Sequence, residues 1–108
     1  MQPSPKGPAG PATIDADALV AATDEQVSAH LTGETVILSM RDGMYYGLDE
    51  VGTVVWQRIQ RPTPFAELVQ AVVAQFDVDA PTAGTDLTAL VRDLAAHGLA
   101  EVRPPASP

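Results

Sequence analysis

Two histidines, fourteen carboxylates and no cysteine are what this chain of 108 residues offers for chemistry. Without Cys there is no disulfide, no thiolate metal site and no Cys nucleophile. His30 falls on the polar side of an alternating stretch. His97 falls in the last turn of a helical repeat, where the helix dipole favours it. Both read as structural or solvated side chains. No Ser/His/Asp or paired-carboxylate arrangement has local support. Asp77 and Asp79 suggest calcium, but the twelve-residue loop with its Gly and terminal Glu is missing, so they read as a solvated helix–helix loop. The Gly-rich start is broken by prolines and precedes no strand–helix unit, so it is no phosphate loop. The expectation is a protein without catalytic residues, metal or cofactor. The chemistry left is recognition, and it gathers at Met44, Tyr45, Tyr46, Gly47 and Leu48, which hold both tyrosines of the chain.

The elements that position this stretch follow from periodicity. Residues 26–31 alternate, with Val27, Ala29 and Leu31 on one side and Gln26, Ser28 and His30 on the other, the pattern of a half-buried strand. Thr32-Gly33 supplies a turn, and residues 35–41 form a β-branched, apolar central strand. Asp42-Gly43 is a hairpin signal for a two-residue type I′ turn, and residues 44–48 follow as a third strand. Parity puts Tyr46 with Met44 and Leu48 on the helix-facing side and Tyr45 on the other.

Asp49 is a helix N-cap, with Glu50 favourable at the positive helix end. Val51, Val54, Val55 and Ile59 form a stripe with Trp56 beside it, stopped by Arg61-Pro62. Thr63 and Pro64 read as N-cap and first position of a second helix. Its apolar residues Phe65, Leu68, Val69, Val72, Val73 and Phe76 keep a helical period. A third helix starts near residues 82–85, carries Leu87, Leu90, Val91 and Leu94, and ends at His97 with Gly98 as cap. Leu99 and Val102 are expected to fold back onto the core. The expected order is β-β-β-α-α-α, an α+β fold with a three-stranded antiparallel meander followed by three helices. Residues 14–22 read as a linker.

Composition sets the domain limits. Residues 1–11 hold four prolines and two glycines, and half of residues 103–108 are proline. Such composition does not repay ordering entropy. The expectation is a disordered Pro/Gly-rich segment over 1–22, one domain over 23–102 and a disordered tail over 103–108. No apolar run nears the ~20 residues that cross a bilayer, and no secretory signal is visible, so the expected location is the cytoplasm.

Net charge is −8, with a single Lys and five Arg. Nucleic acid and anionic membrane are therefore poor partners. Three helices beside a meander suggest a winged helix-turn-helix, yet residues 82–97 carry only Arg92 for base edges, opposed by Asp86 and Asp93, and the chain has no Asn. Peptide binding fits better. A meander has two edges, each a template for another strand. A peptide beside residues 44–48 gains backbone bonds there and side-chain pockets against the third helix. The alternative is that Met44, Tyr46 and Leu48 are core and residues 12–22 cover the edge.

The run Tyr45-Tyr46-Gly47-Leu48-Asp49-Glu50-Val51-Gly52-Thr53-Val54-Val55-Trp56, then Pro64-Phe65-Ala66-Glu67-Leu68-Val69, then Asp86-Leu87 through Gly98-Leu99, resembles the PqqD-like family. More narrowly it resembles standalone members found with lasso peptide biosynthesis. The resemblance spans about residues 25–102. It implies a RiPP recognition element: a non-catalytic winged helix-turn-helix that binds the leader of a ribosomally made precursor. It implies that the leader adds as a strand to residues 44–48 and lies against the third helix, with Leu87, Leu90, Val91 and Leu94 as groove wall and with Tyr, Pro and Leu of the leader as anchors. It further implies presentation to a transglutaminase-like leader peptidase and a macrolactam cyclase. The long Pro-rich N-terminus departs from the compact family pattern. The competing reading is an acidic winged-helix transcriptional regulator or protein-interaction adapter.

Overall fold

A computed structural model describes residues 14–104 of the protein. Strands β1 (Leu19–Ala22), β2 (Gln26–Leu31), β3 (Glu34–Ser39) and β4 (Tyr45–Leu48) come first, followed by helix α1 (Glu50–Arg58). The short strand β5 (Thr63–Pro64) leads into α2 (Phe65–Gln75), α3 (Ala80–Ala96) and strand β6 (Ala100–Arg103). The fold is α+β, with antiparallel strands and three helices, as the periodicity implies.

Two antiparallel sheets share the work. The expected meander is there, in the order β2-β3-β4. The second sheet, β5-β1-β6, was not legible in sequence. The expected linker over residues 14–22 is corrected by it: Leu19–Ala22 is its central strand, with Leu19 opposite both Pro64 and Arg103. Ala18, Val20 and Ala21 are buried there, Val20 completely. Backbone bonds fasten the segment to the middle and the later part of the chain, Ala22 N–H to the Ile59 carbonyl (2.8 Å) and Thr23 N–H to the Leu99 carbonyl (3.0 Å). A four-residue strand with two alanines has too little periodic signal to announce itself; its partners lie about 40 and 80 residues away. Strand β6 likewise carries structure to Arg103, one residue into the expected tail, and buries Leu99 and Ala100, whereas Val102 stays 42% exposed instead of packing on the core. The expected disorder of residues 1–13 and 105–108 lies outside the described residues.

The helices start where capping chemistry acts. Asp49 caps α1, its carboxylate accepting from Gly52 N–H at 2.9 Å. Gly52 also lets the first turn sit against β4, since a Cβ there would stand 3.0 Å from Leu48 Cβ. Helix α1 stops at Ile59 rather than at Arg61. Thr63 does not cap α2: it pairs with β1, and its hydroxyl proton is shared between the Arg58 and Arg61 carbonyls. Pro64 takes the N-cap position without a side-chain bond. Helix α3 begins two residues early, because Asp79 accepts from Thr82 N–H at 2.8 Å and Pro81 occupies the first turn. That bond holds the Asp79 carboxyl below the usual carboxylate range.

The core lies between the helices and the inner face of the two sheets, with Ile37, Val55, Ile59, Leu68, Leu87, Val91 and Leu99 essentially inaccessible. Thr35 of β3 donates to Thr53 of α1 at 2.9 Å, satisfying a buried hydroxyl at the sheet–helix seam.

The meander faces the opposite way to the expectation for β2. Thr35, Ile37 and Ser39 of β3 turn inward. Antiparallel partners share a face, so Ser28 and His30, opposite Ile37 and Thr35, belong to the helix side. Val27, Ala29 and Leu31 are then on the outer side, where Val27 is 58% and Leu31 53% exposed. The β3–β4 turn also differs. It is a four-residue loop, 40–43, closed by Ser39 N–H to the Met44 carbonyl, with Gly43 at φ 71° and its N–H bonded to the Ser39 carbonyl. Gly43 supplies the one left-handed residue such a loop needs.

Candidate peptide-binding edge and groove

Strand β4 is terminal in its sheet, and among the described residues nothing pairs with its far side. Of residues 12–22, the alternative cover for this edge, 19–22 are a strand of the other sheet. The orientation of its backbone follows from one bond. Ser39 N–H donates to Met44 O, so 39 and 44 form a hydrogen-bonded pair. Such pairs alternate along an antiparallel ladder. In the register Ile37↔Tyr46 and Thr35↔Leu48, Tyr46 and Leu48 therefore spend their amides on β3. Tyr45 and Gly47 turn theirs outward, to the open edge. The same logic applies to β2: Met40 N–H donates to Glu25 O, which leaves Ser28 and His30 facing its open edge.

The two edges differ in what stands beside them. Past β2 every residue from 27 to 31 is exposed and no helix forms a wall. Beside β4 the C-terminal end of α3 comes close, where the Tyr46 ring meets His97, centroids 4.7 Å apart and tilted by 47°. A depression of about 250 Å³ at that end is lined by Arg41, Asp42, Ala96 and His97. Toward the start of α1 lies a second depression of about 270 Å³, lined by Asp49, Val51, Gly52, Asp86, Leu87 and Leu90. A strand-shaped ligand at β4 thus has a hydrogen-bonding edge, and side-chain recesses at both ends of the edge.

The side chains are held in place by local bonds. Asp42 accepts from Met44 N–H at 2.9 Å and from the Tyr46 hydroxyl at 3.3 Å. The Met44 amide, chiefly, holds the Asp42 carboxyl below its ordinary range. Partial desolvation, with the Asp42 charge beside it, pushes the Tyr46 phenol up. At neutral pH Tyr46 is therefore a neutral donor to a charged acceptor. His97 Nδ1 lies 2.9 Å from the Asp93 carbonyl, which fixes the imidazole under the Tyr46 ring. Asp42, Asp49, Asp86 and Asp93 make the surroundings of the groove acidic. Among the described residues no three His, Asp or Glu side chains gather as metal ligands.

The nine residues expected from sequence take different places. Tyr46 is half-buried at the groove, while Tyr45 (70% exposed) stands on the opposite face. Met44 shares the parity of Tyr46 yet is 55% exposed, because it lies in the turn, just before β4. Gly47 is at the open edge, and Leu48 is in the core. On α3 the four apolar residues divide. Val91 and Leu94 are 0% and 3% exposed and point into the core; Leu87, 1% exposed, forms the floor of the depression that Leu90 borders half-buried. Asp42, Asp86 and His97 were not expected at a site. Asp42 signalled only a turn and His97 only a helix end, and no spacing in the chain relates either to Tyr46.

Comparison with known proteins identifies the family. Residues 34–100 match the family described as Coenzyme PQQ synthesis protein D (PqqD). The solved structure "TbiB1 in Complex with the TbiA(beta) Leader Peptide" is 38% identical, with a TM-score of 0.70 over 75% of this chain and 94% of that one. "Lasso peptide synthetase B1 complexed with the leader peptide" is 26% identical, with a TM-score of 0.67 over 76% of this chain and 96% of that one. No protein among the curated ones matches. With the family pattern covering more than half of the chain and a relative of this identity spanning the domain, the chain belongs to the PqqD family, as a PqqD-like RiPP recognition element.

Proposed function

We propose that the protein is a non-catalytic leader-peptide-binding adapter for a lasso-type precursor, acting by strand addition at β4. The observation that carries the reading is the open edge at Tyr45 and Gly47 beside the α3 groove. The leader lies antiparallel or parallel to β4, exchanges backbone hydrogen bonds with Tyr45 and Gly47, and turns alternate side chains into the groove. The backbone bonds give affinity without sequence choice. Choice comes from the recesses beside Leu90 and beside His97, which suit the apolar and aromatic anchors Leu, Pro and Tyr. Both structural relatives were solved with a leader peptide, which supports the same ligand class here.

In this reading the three helices with the β2–β4 sheet are a winged helix-turn-helix whose third helix reads peptide rather than DNA. Held by the leader, the precursor is delivered in the cytoplasm to a transglutaminase-like leader peptidase and to the macrolactam cyclase. The test is fluorescence anisotropy of the labelled leader from the neighbouring short reading frame. Saturable binding, lost when the leader's Tyr or Leu anchors are replaced by Ala, is expected. A folded protein that leaves the leader free at tens of micromolar would turn the reading toward a regulator.

A further inference from the structure

Each sheet ends in two strands whose outer backbone has no partner among the described residues: β2 and β4 in one, β5 and β6 in the other. An open edge pairs with another chain unless shortness, charge, proline or a bulge blunts it. Strand β5 is two residues long and contains Pro64, and β6 carries Glu101 and Arg103. Strand β4 has four residues and lies between Asp42 and Asp49. Strand β2 has none of these guards. Its six residues include no Asp, Glu, Lys, Arg or Pro, and they pair one-to-one with β3 without a bulge. Residues 27–31 are all exposed, with no helix beside them to keep a further strand away.

We propose that β2 pairs with β2 of a second copy of this chain, antiparallel about a two-fold axis at Ser28. The Met40–Glu25 bond sets the alternation that turns Gln26, Ser28 and His30 outward. Centring the register on Ser28 puts Ser28 opposite Ser28 of the second copy, and Gln26 opposite His30 in both directions. These three pairs exchange two bonds each, whereas pairing Ser28 with Gln26 or with His30 of the second copy keeps only two such pairs. The side chains agree with this register. Gln26, Ser28 and His30 meet polar partners on the helix side, and Val27 meets Ala29 on the outer side, where Val27 is now 58% exposed. Charge agrees as well. Glu25 falls opposite Leu31 and Asp24 opposite Thr32, so no carboxylate faces a carboxylate across the seam, and Arg41 offsets Glu25 at 3.7 Å. Such a self-matching edge makes an isologous dimer. The product is a six-stranded sheet with a β4 edge at each margin. The pairing does not depend on the leader reading; with it, the adapter holds two leaders at once.

The test is sedimentation velocity of the full chain over a concentration series reaching hundreds of micromolar. Physiological salt screens the repulsion between two copies of net charge −8. A single strand edge is smaller than a permanent dimer interface, so a reversible monomer–dimer equilibrium is expected. Ser28→Pro deletes the central outward amide, which an edge strand tolerates, and should weaken the dimer at least tenfold with the urea midpoint kept. Ser28→Asp and Ser28→Lys each set like charges on the axis and should be monomeric alone, while their mixture restores a one-to-one dimer. That mixture keeps the test decisive if the proline variant does not fold. A wild type that stays monomeric overturns the proposal, and so does a dimer indifferent to all three substitutions. A dimer dissolved by saturating leader, or by Gly47→Pro, lies at β4 and overturns it too. Failure of the leader to bind sinks the leader reading alone and leaves the sedimentation result to decide the edge.

Discussion

Replacing Gly47 by Pro tests the edge directly, because proline deletes one N–H and little else. The alternation fixed by the Ser39–Met44 bond turns the Gly47 amide away from β3. The φ of Gly47 lies outside the left-handed range, and a Cβ there meets nothing within 4 Å. Edge strands accept Pro when the lost N–H faces outward. The folded state should therefore keep its urea midpoint to within a small shift. The bound leader, in contrast, loses a donor, and its carbonyl is left unpaired at a half-desolvated edge. That costs about 1–3 kcal/mol, or roughly 5- to 150-fold in dissociation constant at about 1.4 kcal/mol per tenfold, read by anisotropy. Two neighbours supply the contrast. Tyr46→Pro removes an amide spent on Ile37 and should lower the urea midpoint markedly. His30→Pro deletes an outward amide on the other edge and should leave leader affinity unchanged. A folded Gly47→Pro variant with wild-type affinity refutes strand addition at β4. Loss of binding in His30→Pro instead moves the peptide to β2.

On α3, Leu90→Asp should weaken the leader at least tenfold with an unchanged circular dichroism spectrum, because Leu90 is half-buried at the groove. Val91→Asp, one residue on, buries a carboxylate in the core and should unfold the domain. Thr53→Val leaves the Thr35 hydroxyl buried without its partner and should cost about 1–3 kcal/mol in urea denaturation. Adding Thr35→Val should cost less than the sum of the two single changes, which a double-mutant cycle measures. For acid sensitivity, Asp42 and Asp79 bind protons less tightly folded than unfolded, through the Met44 and Thr82 amides. Their contribution is present above the ordinary carboxylate value of 3.8 and is lost as pH falls through the lower folded values. The stability gap between wild type and Asp42→Asn or Asp79→Asn should therefore be widest near pH 7 and close toward pH 2. A gap that grows on acidification contradicts the sign.

Much of this protein is written locally. Helix α1 begins after Asp49 because a carboxylate there reaches the Gly52 amide, and α3 stops just before Gly98, whose φ of 73° suits glycine. These are contacts within a few residues, so the sequence carries them. The same holds for the β2–β4 order, whose turns announce themselves at Gly33 and Gly43. What tertiary structure decided is which side of each pattern meets the core. A period of two says that Val27, Ala29 and Leu31 share a face; it does not say which face, and packing turned them outward because the helices already cover Thr35, Ile37 and Ser39. A helical stripe likewise groups Leu87, Leu90, Val91 and Leu94, and only the position of the start of α1 beside α3 leaves Leu90 at a groove while Val91 closes into the core. The second sheet joins Leu19 to Pro64 and Arg103 across the length of the chain. That pairing is what draws residues 19–22 away from β4. The composition and the motifs pointed to a recognition domain; the free edge of β4 exists because a distant strand found a different partner.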